Sequence, residues 1–365
     1  MKILFATPYK GAIGGITKWA QHIIGYYNCI EEKGCEIDIL QMDRLSFANI
    51  NSTFKRIYYG VCDYFSFLKK EKEMIKMKKY DIFHLVSSAS ISLLKDIIML
   101  KAAKKKGVRT IVHFHFGRIP ELVKKNNWEW KMICKVVKMS DTTIVLDKAS
   151  LETLQEAGYN NVVQLPNPVA PAVTKLIEKN NDIPRQTRSL FFAGHGIRTK
   201  GIYELVEACK LIPNITLKMA GTIHDSVKNE LYQVSDNADW LDICGEQPFE
   251  QVIKDMLSCD VFALPTYTEG FPNVILESMA AGCAIVTTPV GAIPEMLEEE
   301  NGKQYGILVT PQNVQDLKEG IEKMLNNTNL KDECRKNVQE RVNARYNIGV
   351  VWTQMVNIWR NTIKQ

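Results

Sequence analysis

Short apolar runs alternate with longer amphipathic stretches along the first half of the chain. The amphipathic stretches predict helices over residues 17–34, 90–106 and 148–157. Strands that alternate with helices through short connections indicate a parallel, doubly wound α/β sheet. The apolar runs predict strands over residues 3–6, 37–41, 81–85, 108–113, 142–146 and 162–165.

The same alternation starts again in the second half. Pro166, Asn167, Pro168 and Pro171, followed by the polar run 178–188, are typical of a linker. We therefore expect two Rossmann-like domains in series, with a ligand bound beyond the carboxyl ends of the strands. Strands are predicted at 189–193, 216–220, 241–244, 261–265, 284–287 and 306–309, with helices at 201–211, 249–258, 273–282, 314–326 and from 330 onward.

The predicted boundaries are 1–170 for the first domain, 171–345 for the second and 346–365 for a further helix. That helix is expected to pack on another element, because its apolar surface is large. Its apolar residues are Val350, Val351, Trp352, Met355, Val356 and Trp359.

Composition excludes several classes of protein. No window approaches the roughly 18 apolar residues of a membrane span. The cysteine count is nine, an odd number without a CxxC pair, which favours free thiols in a reducing cytosol over disulfides or a zinc site. The sequence also shows no nucleophile elbow, Walker loop or zinc-protease helix.

Charge is distributed unevenly along the chain. Residues 1–166 carry 26 Lys and Arg against 16 Asp and Glu, and the remainder carries 20 against 25. Short basic segments beside Phe65, Phe67, Trp128 and Trp130 favour contact with an anionic membrane surface. A nucleic-acid partner and a plain lysine-rich surface are the alternatives.

The most informative segment runs from Glu269 to Glu277. A Gly-Phe-Pro-Asn turn over residues 270–273 separates the two carboxylates and opens a predicted helix. The N–H groups of such a helix start suit phosphate, and a carboxylate one turn into the helix can accept hydrogen bonds from a diol. An ordinary acidic helix start is the alternative interpretation.

Two glycine-containing loops connect a strand to a helix. Gly14 and Gly15 follow the first strand but lack a GxGxxG pattern, so a nicotinamide cofactor has little support. The second loop, residues 192–201, contains Gly194 and His195 and two cations, Arg198 and Lys200. Those cations would neutralise a diphosphate leaving group.

Two histidines lie at the end of the strand that precedes Phe116. His113 and His115 are two residues apart and so share a face. Either is a candidate ligand contact or proton handler, and a satisfied core histidine is the alternative. The lack of nearby Cys, Asp or Glu partners makes a metal site unfavourable.

With these motifs in order, the chain resembles the retaining GT-B glycosyltransferases of the family 4 type, the glycosyl transferases group 1. The likeness is strongest from residue 190 to 309, where the glycine loop, the EGFPN segment and the PxGxxPE loop at 289–295 follow one another. It is weaker in the first half, where Gly14-Gly15, the histidine strand and Pro166-Asn167-Pro168 fit. The resemblance implies two Rossmann-like domains facing a central cleft, with a terminal helix that crosses back to the first domain.

The resemblance also implies a role for each matched residue. Lys200 would bind the donor diphosphate, Glu269 the transferred sugar, and Glu277 the nucleotide ribose. His115, or else His113, would reach the sugar from the first domain. Backbone N–H groups at Gly15 and around the segment of Phe271, Pro272, Asn273 and Val274 would bind phosphate.

Three residues depart from the pattern of the family. His195 replaces the usual Arg after the glycine, and Arg198 is the candidate to supply the missing cation. Thr17 stands where an acid is usual after the Gly-Gly loop. Asp147 stands where a small hydroxyl residue is common. The paired glutamates and Lys200 remain, so an inactive enzyme is not inferred.

The expected function is retaining transfer of a sugar from a nucleotide-diphosphate sugar, a UDP-sugar first, to a glycan or lipid-linked glycan in bacterial surface polysaccharide synthesis. The enzyme is expected to need no metal or other cofactor, and to work in the cytoplasm, against the inner face of the cell membrane. A non-catalytic GT-B subunit that partners a transferase and a sugar-nucleotide epimerase are the alternatives.

Overall fold

The computed structural model describes residues 1–10, 14–43 and 53–365, with the side chains of residues 53–62 and 64 left out of the description. The chain forms two compact units. The first comprises Met1–Asn167 and Ile348–Gln365, and the second comprises Pro168–Asn347. Each is built on a six-stranded parallel sheet, so the predicted parallel α/β architecture is confirmed.

The first sheet has the strand order β2-β1-β3-β4-β5-β6. Its four inner strands are almost entirely buried, as expected of a parallel sheet covered by helices on both faces, and its two edge strands are partly exposed. The strands are β1 (Lys2–Thr7), β2 (Glu36–Gln41), β3 (Ile82–Ser87), β4 (Arg109–Phe114), β5 (Thr142–Val145) and β6 (Val162–Gln164).

Helices cover both faces of this sheet. One apolar layer joins the sheet to α2, α3 and α5, and the layer on the opposite face joins it to α1 and α15. The helices of the first unit are α1 (Gly15–Cys29), α2 (Thr53–Met77), α3 (Ser92–Lys104), α4 (Ile119–Lys125), α5 (Trp128–Met139), α6 (Lys148–Glu156) and α15 (Ile348–Lys364).

The second sheet has the order β9-β8-β7-β10-β11-β12, which is the Rossmann pattern of two halves running outward from β7 and β10. Its strands are β7 (Ser189–Ala193), β8 (Thr216–Ala220), β9 (Leu241–Gly245), β10 (Val261–Leu264), β11 (Ala284–Thr287) and β12 (Ile307–Leu308). Its helices are α7 (Pro171–Lys179), α8 (Ile202–Lys210), α9 (Asp225–Val234), α10 (Phe249–Ser258), α11 (Asn273–Ala280), α12 (Ile293–Leu297), α13 (Val314–Asn326) and α14 (Thr328–Arg341).

The prediction of a linker is wrong for much of its length. Residues 171–179 form α7, whose Val173 is fully buried in the second unit. Further on, the Arg185 guanidinium donates to the carbonyls of Met256, Cys259, Ala281 and Gly282 at 2.8–3.2 Å. A polar run can therefore be an anchored part of a domain when one long side chain satisfies several strand and helix ends.

The helix α15 packs within the first unit. Trp352, Met355 and Trp359 are buried in the same apolar layer as Ile3 and Phe5 of β1. The Trp359 indole Nε1–H donates to His84 Nδ1 of β3 at 2.9 Å, and the hydroxyls of Thr362 and Thr142 are 2.8 Å apart. The apolar surface predicted from the sequence is therefore an internal surface.

The helix α2 was not predicted, because acids interrupt its apolar spacing. Asp63 and Glu71 are both buried, and Glu71 is completely inaccessible. Within the described part of the chain, no hydrogen-bond donor reaches either oxygen of Glu71. This burial raises the pKa of the Glu71 carboxyl to about 8.

The Glu71 carboxyl should make the stability of the first unit fall as pH rises from about 4.5 to 8. Across that window the unfolded chain releases a proton that the folded chain keeps, at about 1.4 kcal/mol per pH unit. Glu71→Gln should remove this pH dependence. In calorimetry, the amount by which its melting temperature exceeds that of the wild type should therefore increase from about pH 5 to pH 8. Glu73→Gln, at an exposed position of the same helix, is the control. A gain that does not change with pH would contradict the prediction.

The eight cysteines whose side chains are described are all unpaired. Across residues 1–10, 14–43 and 53–365, none of the helices combines the length and apolar character needed to cross a bilayer.

Candidate functional site

The strand order of the second sheet reverses between β7 and β10, and the loops that follow these strands lie side by side. In open α/β sheets, the crevice beyond the carboxyl ends of the strands at such a reversal is where ligands bind. The loop after β7 spans residues 194–201, and the loop after β10 spans residues 265–272. A third loop, residues 288–292, follows the neighbouring β11. We call these three loops the three-loop site.

The first loop ends in a short turn, Arg198–Lys200, held against the second loop. The Thr199 carbonyl accepts from the Tyr267 N–H at 2.8 Å and from the Thr266 hydroxyl at 3.1 Å. Gly201 then adopts a φ of +70°, and a Cβ at this position would lie 2.0 Å from the Pro265 carbonyl oxygen. Only glycine allows this approach, which fixes the position of Lys200.

Lys200 and Glu269 meet across these two loops. The Lys200 Nζ lies 2.5 Å from Glu269 Oε1, and the two side chains are 21% and 10% exposed. A pair so little exposed is much less screened by salt than a surface pair. The structure thus brings together the predicted diphosphate ligand and the predicted sugar ligand, which are 69 residues apart in sequence.

The third loop closes on the second from the other side. The Ala292 N–H donates to the Gly270 carbonyl at 2.9 Å, and the Thr288 hydroxyl donates to the Thr266 carbonyl. Gly291 has a φ of +58°, and a Cβ there would lie 2.4 Å from the Glu269 carbonyl oxygen. The PxGxxPE segment therefore supports the backbone that carries Glu269.

The helix α11 begins directly after the second loop. Its N-cap is Pro272, so no side chain caps it, and the Ile275 N–H donates to the Pro272 carbonyl at 3.1 Å. Phe271 is 8% exposed and packs against Tyr346, so it offers backbone rather than side chain to a ligand. Asn273, Val274 and Glu277 are half-buried along the first turns of α11. The phosphate-binding role of this helix start and the ribose-binding role of Glu277 stay predictions.

Arg198 and His195 are less well fixed than Lys200. Both residues are exposed. The Arg198 guanidinium lies over the Tyr203 ring, 5.2 Å from its centre, so the structure directs it toward α8. Gly194, by contrast, is held to β8, because its N–H donates to the Ala220 carbonyl at 3.0 Å.

In the first unit, Gly15 opens α1 as its first residue. Gly14 before it is extended and no side chain caps the helix; both glycines are exposed. The predicted phosphate contact of Gly15 stays a prediction. Thr17, in the position where an acid is usual in the family, is buried in the first turn of α1.

The two predicted histidines lie in a cluster of buried rings at the carboxyl end of β4. The ring centres of His113 and His115 are 4.2 Å apart, and Trp19 packs on both. The His113 side chain is fully buried, whereas His115 is only half-buried. This placement favours His115 over His113 as the residue able to reach a ligand.

Burial keeps these histidines neutral. It lowers the pKa of His84 and of His115 to about 3, and it lowers the pKa of His113 well below its ordinary range. A neutral His115 ring can donate or accept a hydrogen bond, but it would not act as a cation near pH 7.

Several contacts around the predicted residues, in each of the two units, could not have been found from the sequence. The Tyr267 hydroxyl donates to Glu204 Oε1 at 2.5 Å, which supports the second loop from α8. Asp147, the third departure, is a buried N-cap that accepts from the N–H and hydroxyl of Ser150 at 2.7 and 2.8 Å. Within the described ranges, no three His, Cys, Asp or Glu side chains converge as metal ligands.

The sequence has relatives among known proteins. The family model described as "Glycosyl transferases group 1" matches residues 173–341. The putative teichuronic acid biosynthesis glycosyltransferase TuaC of Bacillus subtilis is 29% identical over 173 residues, which are 47% of this chain and 42% of that protein. The uncharacterized glycosyltransferase MJ1178 of Methanocaldococcus jannaschii is 24% identical over 93% of each chain. The capsular polysaccharide biosynthesis glycosyltransferase CapM of Staphylococcus aureus is 27% identical over 52% of this chain and 50% of its own.

Solved structures show the same fold. Anabaena HepE, in complex with UDP and glucose, superposes with a TM-score of 0.68 at 17% identity, covering 99% of this chain and 100% of HepE. Sucrose-phosphate synthase of Thermosynechococcus elongatus superposes with a TM-score of 0.75 at 17% identity, covering 100% and 99%. The three-loop site lies within the matched residues 173–341, just under half of the chain, which are similar to the glycosyl transferases group 1 family; together with the fold, this similarity identifies the chain as a glycosyltransferase of the GT-B fold.

Proposed function

We propose that this glycosyltransferase takes a sugar from a UDP-sugar, with retention of anomeric configuration, and transfers it to a glycan or lipid-linked glycan of a bacterial surface polysaccharide. The observation that carries the proposal is the Lys200–Glu269 ion pair at the strand-order reversal, beside the start of α11. It places a cation, a carboxylate and a helix N-terminus within one set of interlocked loops.

Each part of the three-loop site suits one part of the donor. The Lys200 ammonium has three N–H donors, so it can bind a diphosphate oxygen while Glu269 keeps another. The start of α11 adds backbone N–H groups and the positive end of a helix dipole. Glu277, about one turn into α11, would accept hydrogen bonds from the two ribose hydroxyls.

In the proposed reaction the bond between the anomeric carbon and the diphosphate breaks as the acceptor oxygen attacks from the same face. The acceptor proton passes to the departing phosphate oxygen, so atoms and charges balance. Negative charge grows on the diphosphate during this step, and Lys200 and the α11 N-terminus stabilise that charge where it develops. Glu269 would orient the sugar.

The relatives support the donor and the pathway class. HepE has been solved with UDP, with UDP-glucose and with UDP and glucose. TuaC and CapM are named for teichuronic acid and capsular polysaccharide biosynthesis. A Campylobacter jejuni relative, 27% identical over 31% of this chain, is named as a transferase to a diphospho-undecaprenol acceptor.

The experiment measures thermal stabilisation by UDP-, GDP-, ADP- and dTDP-sugars, with and without EDTA. We expect a shift with a UDP-sugar that survives EDTA and is reduced at least tenfold in apparent affinity by Glu277→Ala. Glu319→Ala, an exposed glutamate of α13 in the same unit, should behave as wild type. NMR of the product's anomeric proton then tests retention.

Other outcomes of this experiment would overturn parts of the proposal. A shift only with another nucleotide would replace UDP, and a shift abolished by EDTA would require a metal. No shift with any donor would favour a non-catalytic subunit. Conversion of the donor without an acceptor would favour an epimerase.

A further inference from the structure

Tyr267 lies in the second loop of the three-loop site, two residues before Glu269, and its side chain is half-buried. Its hydroxyl donates to Glu204 Oε1 at 2.5 Å, a length typical of a strong hydrogen bond to a carboxylate. Burial and the neighbouring Glu204 raise the pKa of Tyr267 to about 12. The hydroxyl therefore keeps its proton near neutral pH and remains the donor of this bond.

Glu204 belongs to the part of the chain that carries Lys200. The short turn that contains Lys200 ends at Gly201, and α8 begins with the next residue. The Leu205 N–H donates to the Gly201 carbonyl at 3.0 Å, so the helical hydrogen bonds start directly after the turn. Glu204 lies in the first turn of α8, four residues after Lys200. A contact that fixes Glu204 therefore also fixes the chain that leaves Lys200.

Tyr267 also contacts the chain on the other side of Lys200. Its backbone N–H donates to the Thr199 carbonyl at 2.8 Å. One residue of the second loop thus holds the residue before Lys200 through its backbone, and the first helical turn after Lys200 through its side chain. We call these two contacts of Tyr267, with Thr199 and with Glu204, the Tyr267 clamp.

Glu204 depends on Tyr267 for one of its two oxygens. The residue is 9% exposed, and among the described residues no hydrogen-bond donor reaches its other oxygen, Oε2. A buried polar group that lacks a partner costs free energy, so stability alone does not explain a glutamate at this position. Departures of this kind are expected where a residue serves function.

Donor binding would weaken the other side-chain link between these two loops. Without a donor, the Lys200 ammonium pairs with Glu269. In the proposed reaction the same ammonium also binds the diphosphate, so its three N–H donors are divided between two anions. The hydrogen bonds of the Tyr267 clamp do not involve the ammonium, so they can hold the two loops together throughout the reaction.

We propose that Tyr267 is a positioning residue for sugar transfer, which holds the chain on both sides of Lys200 and so keeps the ammonium where negative charge develops on the leaving diphosphate. Tyr267 acts through Lys200 and need not touch the donor. A misplacement of about 1 Å can cost about 100-fold in rate, and loss of one contact of the clamp should cost part of that. The inference rests on the proposed function and adds a residue to it.

The first test is steady-state sugar transfer by Tyr267→Phe in the full chain, with the donor identified by thermal stabilisation. We expect kcat to fall about tenfold and KM for the donor to change less than about threefold. The two constants should differ because Lys200 stabilises charge that develops in the transition state, whereas ground-state binding would also use the start of α11.

Tyr203→Phe is the matched control. Tyr203 lies on α8, and its hydroxyl donates to Glu230, outside the three loops. Phenylalanine keeps the ring over which the Arg198 guanidinium lies. This variant should keep kcat within about twofold of wild type, because its lost hydrogen bond is exposed and holds none of the loops. Equal kcat values in Tyr267→Phe and Tyr203→Phe would overturn the proposal.

A double variant separates positioning from folding. Tyr267→Phe alone leaves the buried Glu204 carboxyl without a donor, which should also lower the melting temperature. Tyr267→Phe with Glu204→Met replaces both partners by apolar groups. Its melting temperature should return close to that of wild type, while kcat stays about tenfold low. Recovery of kcat together with the melting temperature would mean that the bond is only structural, and the proposal would be wrong.

Action through Lys200 is tested by combining Tyr267→Phe with Lys200→Met. Added to Lys200→Met, Tyr267→Phe should lower kcat less than about twofold, because no ammonium remains to be positioned. A further loss of about tenfold would mean that Tyr267 acts on another part of the site, which contradicts the proposal.

Failure of this inference and failure of the proposed function give different results. If only the inference fails, wild type and Tyr267→Phe transfer sugar equally well. If the wild type transfers no sugar from any donor, the proposed function is overturned, and the role of Tyr267 with it.

Discussion

Lys200→Met should lower kcat of sugar transfer by about 10²–10³-fold. A preorganised positive group aimed at a charge that develops during reaction is worth about that factor when it is removed. Methionine keeps most of the side-chain length and volume but removes the charge and leaves Glu269, 10% exposed, without its cation. The measurement is steady-state transfer from the donor identified by thermal stabilisation.

A matched lysine separates this effect from the general loss of an ion pair. Lys210 of α8 pairs with Asp236 at 2.7 Å in the same unit, away from the three-loop site. Lys210→Met should leave kcat within about twofold of wild type. Equal losses in the two variants would show that Lys200 has no special role in transfer.

The partner residue can be tested with the same assay. If Lys200 and Glu269 act as one unit, Lys200→Met with Glu269→Gln should lose little more activity than the worse single variant. Fully multiplicative losses would instead mean that the two side chains act on separate parts of the reaction.

Trp359→Ala should lower the free energy of unfolding of the first unit by about 3–5 kcal/mol. Truncating a buried tryptophan leaves a cavity of the size that produces such losses. It also removes the indole N–H from His84 Nδ1, a fully buried acceptor. Calorimetry that resolves the two units, or hydrogen exchange in β3, measures the effect.

Two further variants distinguish the causes of this loss. Trp359→Phe keeps most of the ring volume and should cost about 1–3 kcal/mol through the unpaired His84 nitrogen. Trp128→Ala, at a tryptophan that is 55% exposed, should cost less than about 1 kcal/mol. A Trp359→Ala loss no larger than that of Trp128→Ala would mean that α15 is not needed for the stability of the first unit.

Much of the fold could be predicted from the sequence, because buried parallel strands are short, continuous apolar runs. The predicted helix over residues 249–258 coincides with α10, and the predicted strands over residues 216–220 and 284–287 coincide with β8 and β11. The helix α2 was missed since acids stand on its buried side. The helix α7 was missed because prolines and a polar run beside it are also typical of linkers.

The candidate site could be predicted as a set of motifs but not as a set of contacts. Glycines, Lys200, Glu269 and Glu277 are recognisable because each sits in a strand-to-helix turn or in the first turns of the helix that follows it. The Lys200–Glu269 pair joins residues 69 positions apart, and no local pattern encodes such a meeting. The structure distinguishes His113 from His115 by how deeply each side chain is buried. The sequence does not show this difference, because a strand that is buried on both faces has no alternation of apolar and polar residues.

The pairing of Trp359 with His84 has a consequence for how the protein is made. The two residues are 275 positions apart, so at about 5–20 residues per second the ribosome adds Trp359 roughly 15–55 s after His84. During that interval the apolar layer that α15 covers is open, while the whole second unit is synthesised. The unit that leaves the ribosome first is therefore the last to be completed, and a nascent chain stalled before Ile348 should be held by chaperones rather than released as a folded domain.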